Sequence, residues 1–136
     1  MSADKPGHME IVPPVARLLG REILRVDEDG TIHVRFLARP EFTNRHGSVQ
    51  GGLVSAMLDS ATSAVLLRQL PPELTSLTAR LETDFLKPAP VAELFAKAWI
   101  VSRDERSAIT RGELSDAEGN VVAAATAHLR IRKRKT

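Results

Sequence analysis

The chain has 136 residues and a mass of 14.9 kDa, the size of one domain, which leaves no room for a cofactor domain beside a substrate domain. Hydrophobic residues make up 43% and charged residues 26%, close to globular averages, so neither a disordered nor a fibrous chain is expected. Cysteine is absent, which excludes disulfides, thiol nucleophiles, zinc–thiolate sites and iron–sulfur clusters and favours a reducing compartment.

Aromatic residues are 4%, with one tryptophan and no tyrosine, too few to build a stacking platform for single-stranded nucleic acid. The formal net charge is +2, but five bases (Arg130, Arg132, Lys133, Arg134, Lys135) fall in the last seven residues, and the rest of the chain is at −3. Residues 132–136 therefore read as a basic tail, expected to be solvated and frayed. No basic n-region followed by an apolar run opens the sequence, and the longest apolar stretch, Leu53–Leu67, is interrupted by Asp59 and too short to span a bilayer. A single domain over 1–136, cytoplasmic and without a membrane partner, is the expectation.

In chain order, residues 1–10 read as a flexible lead-in. Pro13-Pro14 opens a short helix through Leu19, ended by Gly20, with Val15, Leu18 and Leu19 as its apolar stripe. Arg21–Val26 and Thr31–Ala38 flank Asp27-Glu28-Asp29-Gly30, the turn chemistry of a hairpin, and Ile32, Val34 and Phe36 alternate with polar residues as a half-buried strand does.

A loop with Asn44, Gly47, Gly51 and Gly52 leads into Leu53–Leu67, which is too long for a strand and is rich in Ala and Leu. It predicts a helix, apolar round most of its circumference and therefore buried. After Pro71-Pro72 the rest reads as strands. Leu77, Ala79, Leu81, Thr83 and Phe85 share one face of the first, then come Leu94–Val101, Ser107–Leu114 and a long last strand with Val121, Ala123, Ala125, Ala127, Leu129 and Ile131 on one face. The sum is an α+β domain, a sheet of about six antiparallel strands curled round one helix.

One residue stands out chemically. Between Gly47 and Glu73 the only ionisable side chains are Asp59 and Arg68, and Asp59 sits in the middle of the most apolar helix. A carboxylate there needs a partner, a raised pKa or a wet cavity. It is a candidate general base or nucleophile, against the alternative that it faces solvent or caps a loop.

The loop Gly47-Ser48-Val49-Gln50-Gly51-Gly52 would let a ligand approach the free N–H groups at the helix start, where the positive end of the dipole can hold a phosphate or polarise a carbonyl. The alternative is a tight turn whose glycines only allow packing. No Gly-Lys-Ser/Thr follows, so the loop is not a P-loop. Ser55, Ser60 and Ser63 lack a Gly-x-Ser-x-Gly elbow, and His33, His46 and His128 lack metal-ligand spacing, so no metal site is expected.

Gly51 and Asp59 are eight residues apart, about 12 Å along a helix axis, whereas a polarised carbonyl needs its base or nucleophile about 3 Å away. If both groups act on one substrate, Asp59 comes from a second subunit across a two-fold axis.

The string Asn44-x-x-Gly47-x-x-x-Gly51-Gly52 followed by Asp59, together with Lys87-Pro88-Ala89, resembles the hotdog-fold acyl-CoA thioesterases of the phenylacetate-degradation type. The resemblance covers about Asn44 to Ile131. It implies a curved antiparallel sheet wrapped round one long helix, and homodimers joined edge to edge that pair into tetramers. The substrate would be a small or medium acyl-CoA, with coenzyme A present only as part of it and no cofactor.

The resemblance further implies that the Gly51 N–H polarises the thioester carbonyl, that the partner's Asp59 acts as nucleophile or general base, that Asn44 helps to position the reacting groups, and that the Thr78 hydroxyl assists the water. Gly47 and Gly52 would line the substrate, and Arg80 and Arg103, with Arg106 and the stretch from Arg130, are candidate contacts to coenzyme A phosphates. Gln50 stands where many members have His, and Gln cannot transfer a proton near neutral pH. A non-catalytic acyl-CoA binding module is the main alternative. A hydratase would be expected to carry the missing histidine, and nucleic-acid binding through the tail would show a steep salt dependence.

Overall fold

The computed structural model describes residues 12–135, so the lead-in reading of 1–10 lies outside the described residues. Helix α1 (Pro14–Leu18) leads into a hairpin of β1 (Glu22–Val26) and β2 (Ile32–Leu37). A 3₁₀ turn (Pro40–Phe42) and a loop deliver the chain to the long helix α2 (Gly51–Leu67). Strands β3 (Leu74–Phe85), β4 (Glu93–Arg103), β5 (Ser107–Ser115) and β6 (Val121–Lys133) follow. All six strands form one antiparallel sheet in the order β1-β2-β4-β5-β6-β3, and α2 packs on its inner face. This is the α+β hotdog architecture, the helix wrapped by the sheet.

The inner face follows from period-two alternation. Ile32, Val34 and Phe36 of β2, Leu94, Ala96 and Ala98 of β4, and Ala123 through Ile131 at every second position of β6 are all buried. Small residues on β4 to β6 leave room for the helix. At Gly112 of β5 an added Cβ would stand 3.1 Å from Thr62 Cγ2 and 3.4 Å from Leu58 Cδ2, so α2 rests almost directly on strand backbone. Buried hydroxyls pin the same turn. Thr110 Oγ1 donates to the Thr62 carbonyl at 3.1 Å, and Thr62 Oγ1 donates to the Leu58 carbonyl at 2.7 Å. Asp59 thus hangs from a turn of helix fixed on both sides.

Three readings of the sequence are corrected. In α1 the buried residue is Ala16, followed by Leu19, whereas Val15 and Leu18 are exposed. In β3 the pairing Thr78↔Leu129, Arg80↔His128 leaves Ala79 as a bulge. The alternation therefore changes phase. Ser76 and Thr78 face the helix before the bulge and Leu81, Thr83 and Phe85 face it afterwards, while Leu77 and Ala79 are exposed. A strand carrying an extra residue cannot be read with one unbroken period.

The basic C-terminal stretch, expected to fray from residue 132, is strand through Lys133, paired with Leu74. Beyond it, Arg134 N–H donates to the Glu73 carbonyl at 2.8 Å, and its guanidinium donates to the Pro72 and Leu74 carbonyls at 3.0 and 3.1 Å. These bonds hold the start of β3. Among the described residues no helix is long and apolar enough to cross a membrane.

Candidate active site

Ser55, Asp59 and Ser63 recur every fourth residue along one face of α2, and β3 runs back antiparallel beside them. The two elements are joined by side-chain oxygens. Ser55 Oγ donates to Thr83 Oγ1 at 3.1 Å, Thr78 Oγ1 donates to Asp59 Oδ1 at 2.7 Å, and Ser63 Oγ lies 3.3 Å from Thr78 Oγ1. The Thr78 bond has the short length of a hydroxyl meeting a carboxylate. Asp59 is half-buried beside a groove, and among the described residues its carboxylate is met by the Thr78 hydroxyl. Oδ2 accepts no hydrogen bond among the described residues.

The groove measures about 490 Å³ and has apolar walls from Val15, Ile23, Ala56 and Leu67, with Ser60, Ser63 and Ser76 beside Asp59. Arg21 and Arg68, both half-buried, border it, and Arg21 Nη1 donates to Ser60 Oγ at 3.2 Å.

The other end of α2 is built by the loop. Asn44 Oδ1 accepts the N–H groups of His46 (2.8 Å) and Ser48 (3.2 Å), its Nδ2 donates to Ser48 Oγ at 3.1 Å, and its own N–H donates to the Ser48 carbonyl at 2.8 Å. Asn44 thus spends its side chain on holding the loop in shape. Gly47 turns the loop at φ +86°, a conformation costly for other residues.

Gln50 occupies the N-cap position. Its N–H donates to the Phe42 carbonyl at 2.8 Å, its carbonyl accepts from Leu53 and Val54, and its exposed side chain makes no cap bond. The N–H groups of Gly51 and Gly52, the first two helical residues, meet no acceptor among the described residues and carry the positive end of a 17-residue helix. The Phe85 ring flanks them, 3.5 Å from where a Cβ on Gly51 would stand. Asn44, Gly51, Val54, Phe85, Lys87 and Val122 are among the walls of a pocket of about 410 Å³ here.

The two cavities share no lining residue, and their key groups are about 12 Å apart along one helix. The structure therefore brings Asp59 to Thr78, and Asn44 and Gly47 to the Gly51–Gly52 helix start, without bringing the two groups together in one chain. Arg80 and Arg103 line neither cavity. Arg80 pairs with Glu82 at 3.0 Å, and Arg103 ends β4 in an exposed position. Sequence reasoning missed Ser63, Phe85, Arg21 and Arg68. Ser63 was within reach of the i, i+4 rule from Asp59, whereas the other three depend on how separate elements pack.

The model of the thioesterase superfamily matches residues 46–123, from the loop that ends at Gly51 to the start of β6. The chain belongs to the thioesterase superfamily. A solved structure from Ralstonia eutropha JMP134, described as a candidate thioesterase related to phenylacetic acid degradation, is 36% identical, with 89% of this chain and 92% of that one covered and a TM-score of 0.86. AziG of S. sahachiroi is 28% identical over 90% of this chain and 98% of its own, with a TM-score of 0.81. A Bacillus halodurans protein solved with CoA is 27% identical over 90% of this chain and 78% of its own, with a TM-score of 0.79. No curated protein matches the chain. The protein is thus a hotdog thioesterase of the phenylacetate-degradation type, and its family chemistry is thioester hydrolysis.

Proposed function

We propose that this thioesterase hydrolyses a small or medium acyl-CoA at sites that two subunits share. The observation that carries the reading is the split of α2. The carboxylate held by Thr78 and the unmet N–H groups of Gly51 and Gly52 open into separate cavities at different points of one helix.

The sheet edges support the same reading. Both edge strands carry a bulge and exposed apolar side chains, but β1 has five residues whereas β3 has 12. A long exposed edge is a template for pairing. A two-fold axis between Leu81 and Glu82 would pair two β3 strands antiparallel and set the Phe85–Gly51 end of one subunit beside the Thr78–Asp59 end of its partner. Pairing of such dimers into tetramers, in the cytoplasm, belongs to the same proposal.

In this arrangement the thioester carbonyl oxygen accepts from the Gly51 N–H, which stabilises the charge that develops on it. The partner's Asp59, oriented by Thr78, takes a proton from water as the water oxygen attacks the carbonyl carbon. The alternative is direct attack by its carboxylate followed by hydrolysis of the mixed anhydride. The C–S bond then breaks, the thiolate leaves and takes up a proton, and the free acid departs. Gln50 donates no proton. Asn44 shapes the loop that presents Gly51.

For the phosphates of coenzyme A, Arg103, Arg106, Arg130 and Arg132 suit better than Arg80, which is engaged with Glu82. Arg130 stands between Ser107 and Leu77 in the sheet register, Arg132 is opposite Thr75, and the Arg106 carbonyl accepts from Ile131. The Bacillus halodurans relative solved with CoA agrees with a ligand of this class.

The test is thiol release from a panel of acyl-CoAs by the wild type and by Asp59→Asn. We expect turnover by the wild type and a loss of about 10²–10⁴-fold in kcat for the variant. Binding of acyl-CoA without any thiol release by the wild type would instead establish a binding module, and full activity of the variant would remove Asp59 from the mechanism.

A further inference from the structure

We infer that Phe85 sets how bulky the acyl group can be next to the thioester carbonyl; this rests on the reading that the Gly51 N–H receives that carbonyl. Three observations carry it. The first is contact. A Cβ built on Gly51 would lie 3.5 Å from Phe85 Cε1 and 3.6 Å from Cζ, ordinary van der Waals distances, so the ring already stands against the residue whose N–H is exposed. In a helix the Cα–Cβ bond tilts toward the N-terminus, the direction in which the first N–H groups also point. A carbonyl oxygen bound at Gly51 therefore has the Phe85 ring at its side.

The second is the pocket behind the ring. Val54, Leu86 and Val122 continue the apolar wall, with Lys87 and His46 among the polar lining. An acyl chain that leaves the carbonyl unbranched can lie along this wall, whereas a second substituent on the carbon next to the carbonyl would meet the Phe85 ring.

The third is position. Phe85 is the last residue of β3, faces α2 only because the Ala79 bulge shifts the alternation, and keeps 56% of its surface exposed. Within one chain a ring at a strand end contributes little to the core, so its size can be changed without emptying that chain's packed interior, and the check of size covers its place on the proposed β3 edge. The effect expected of one methyl group against such a wall is about 10-fold or more in kcat/KM.

The experiment measures kcat/KM for butyryl-, isobutyryl- and pivaloyl-CoA with the wild type, Phe85→Ala and Phe85→Leu, each checked for unchanged size and thermal unfolding. For the wild type we expect a preference for butyryl over isobutyryl of about 10-fold or more, and a larger one over pivaloyl. Phe85→Ala should collapse the ratio toward one, chiefly through gain on the branched substrates, with Phe85→Leu in between.

An unchanged ratio in active Phe85→Ala overturns the inference, as does a uniform fall on all three substrates, which would place the ring against the shared coenzyme A portion. Absence of discrimination in the wild type overturns it as well. No thiol release from any acyl-CoA by the wild type refutes the acyl-CoA thioesterase reading itself, and this inference falls with it. If Phe85→Ala does not fold, the intermediate ratio expected for Phe85→Leu decides.

Discussion

The two ends of α2 solve different chemical problems with different parts of the chain. At the Asp59 end a carboxylate is held in mid-helix by side chains, with Thr78 and Ser63 as a cluster of oxygens across the gap to β3. At the Gly51 end the working groups are backbone N–H donors, freed by their place in the first turn and presented by a loop that Asn44 holds together. One end supplies a negative charge and the other a positive partial charge, and α2 and β3 run between them like the two sides of a ladder. In the proposed reading the two halves meet only when a second copy of the chain supplies the other.

The sharpest way to break this comparison is to disable the ends separately. Asp59→Asn and Gly51→Val should each be nearly inactive alone. Mixed in equal amounts under conditions that exchange subunits, they should recover about a quarter of wild-type activity, because half the dimers are hybrids and each hybrid keeps one of two sites intact. Recovery of nothing, with hybrids demonstrated by mass spectrometry, would show that both ends serve the same chain.

A smaller effect is expected at Thr78. Removing its bond to Asp59 with Thr78→Val should lower kcat by about 10-fold, the scale of a hydrogen bond to a charged group, while Thr78→Ser should keep most of the rate. Equal losses in both variants would point to packing at the bulge rather than to the hydroxyl.

The smallest effect tests a region remote from both ends. In the β5–β6 turn, the Asn120 side chain and the Asn120 and Glu118 N–H groups hold the Asp116 carboxyl below the usual aspartate range. Its folded-state pKa is depressed, so its contribution to stability is complete above about pH 3.9, the unfolded value, and drains away as the pH falls through the lower folded value. Asp116→Asn should flatten this acid limb slightly in thermal unfolding between pH 5 and 2, with no change in kcat at pH 7. A change in kcat would mean that the turn communicates with the site.

How much was legible beforehand follows from which interactions are local. The helix, the strands and the hairpin turns came from periodicity and turn residues, and the isolation of Asp59 in an apolar helix came from composition alone. The phase of β3 did not, because one extra residue at Ala79 moves Leu77 outward and lets Thr78 reach Asp59. Nor did the anchoring of the basic end, which depends on carbonyls of Pro72, Glu73 and Leu74 about sixty residues earlier in the chain. Arg21, Arg68 and Phe85 reach their cavities from elements that meet only in the folded domain.

The amino-acid sequence by itself determined a cysteine-free α+β fold, a carboxylate in an apolar helix and a glycine pair at that helix's start. It also determined that a rise of about 1.5 Å per residue keeps the two from sharing a substrate within one chain. Only the tertiary structure decided that Asp59 has a hydroxyl partner beside a groove, that Phe85 stands beside Gly51, and which strand is left as the long edge. Those outcomes depend on strand register and on contacts between distant segments, where one inserted residue reverses every side chain beyond it.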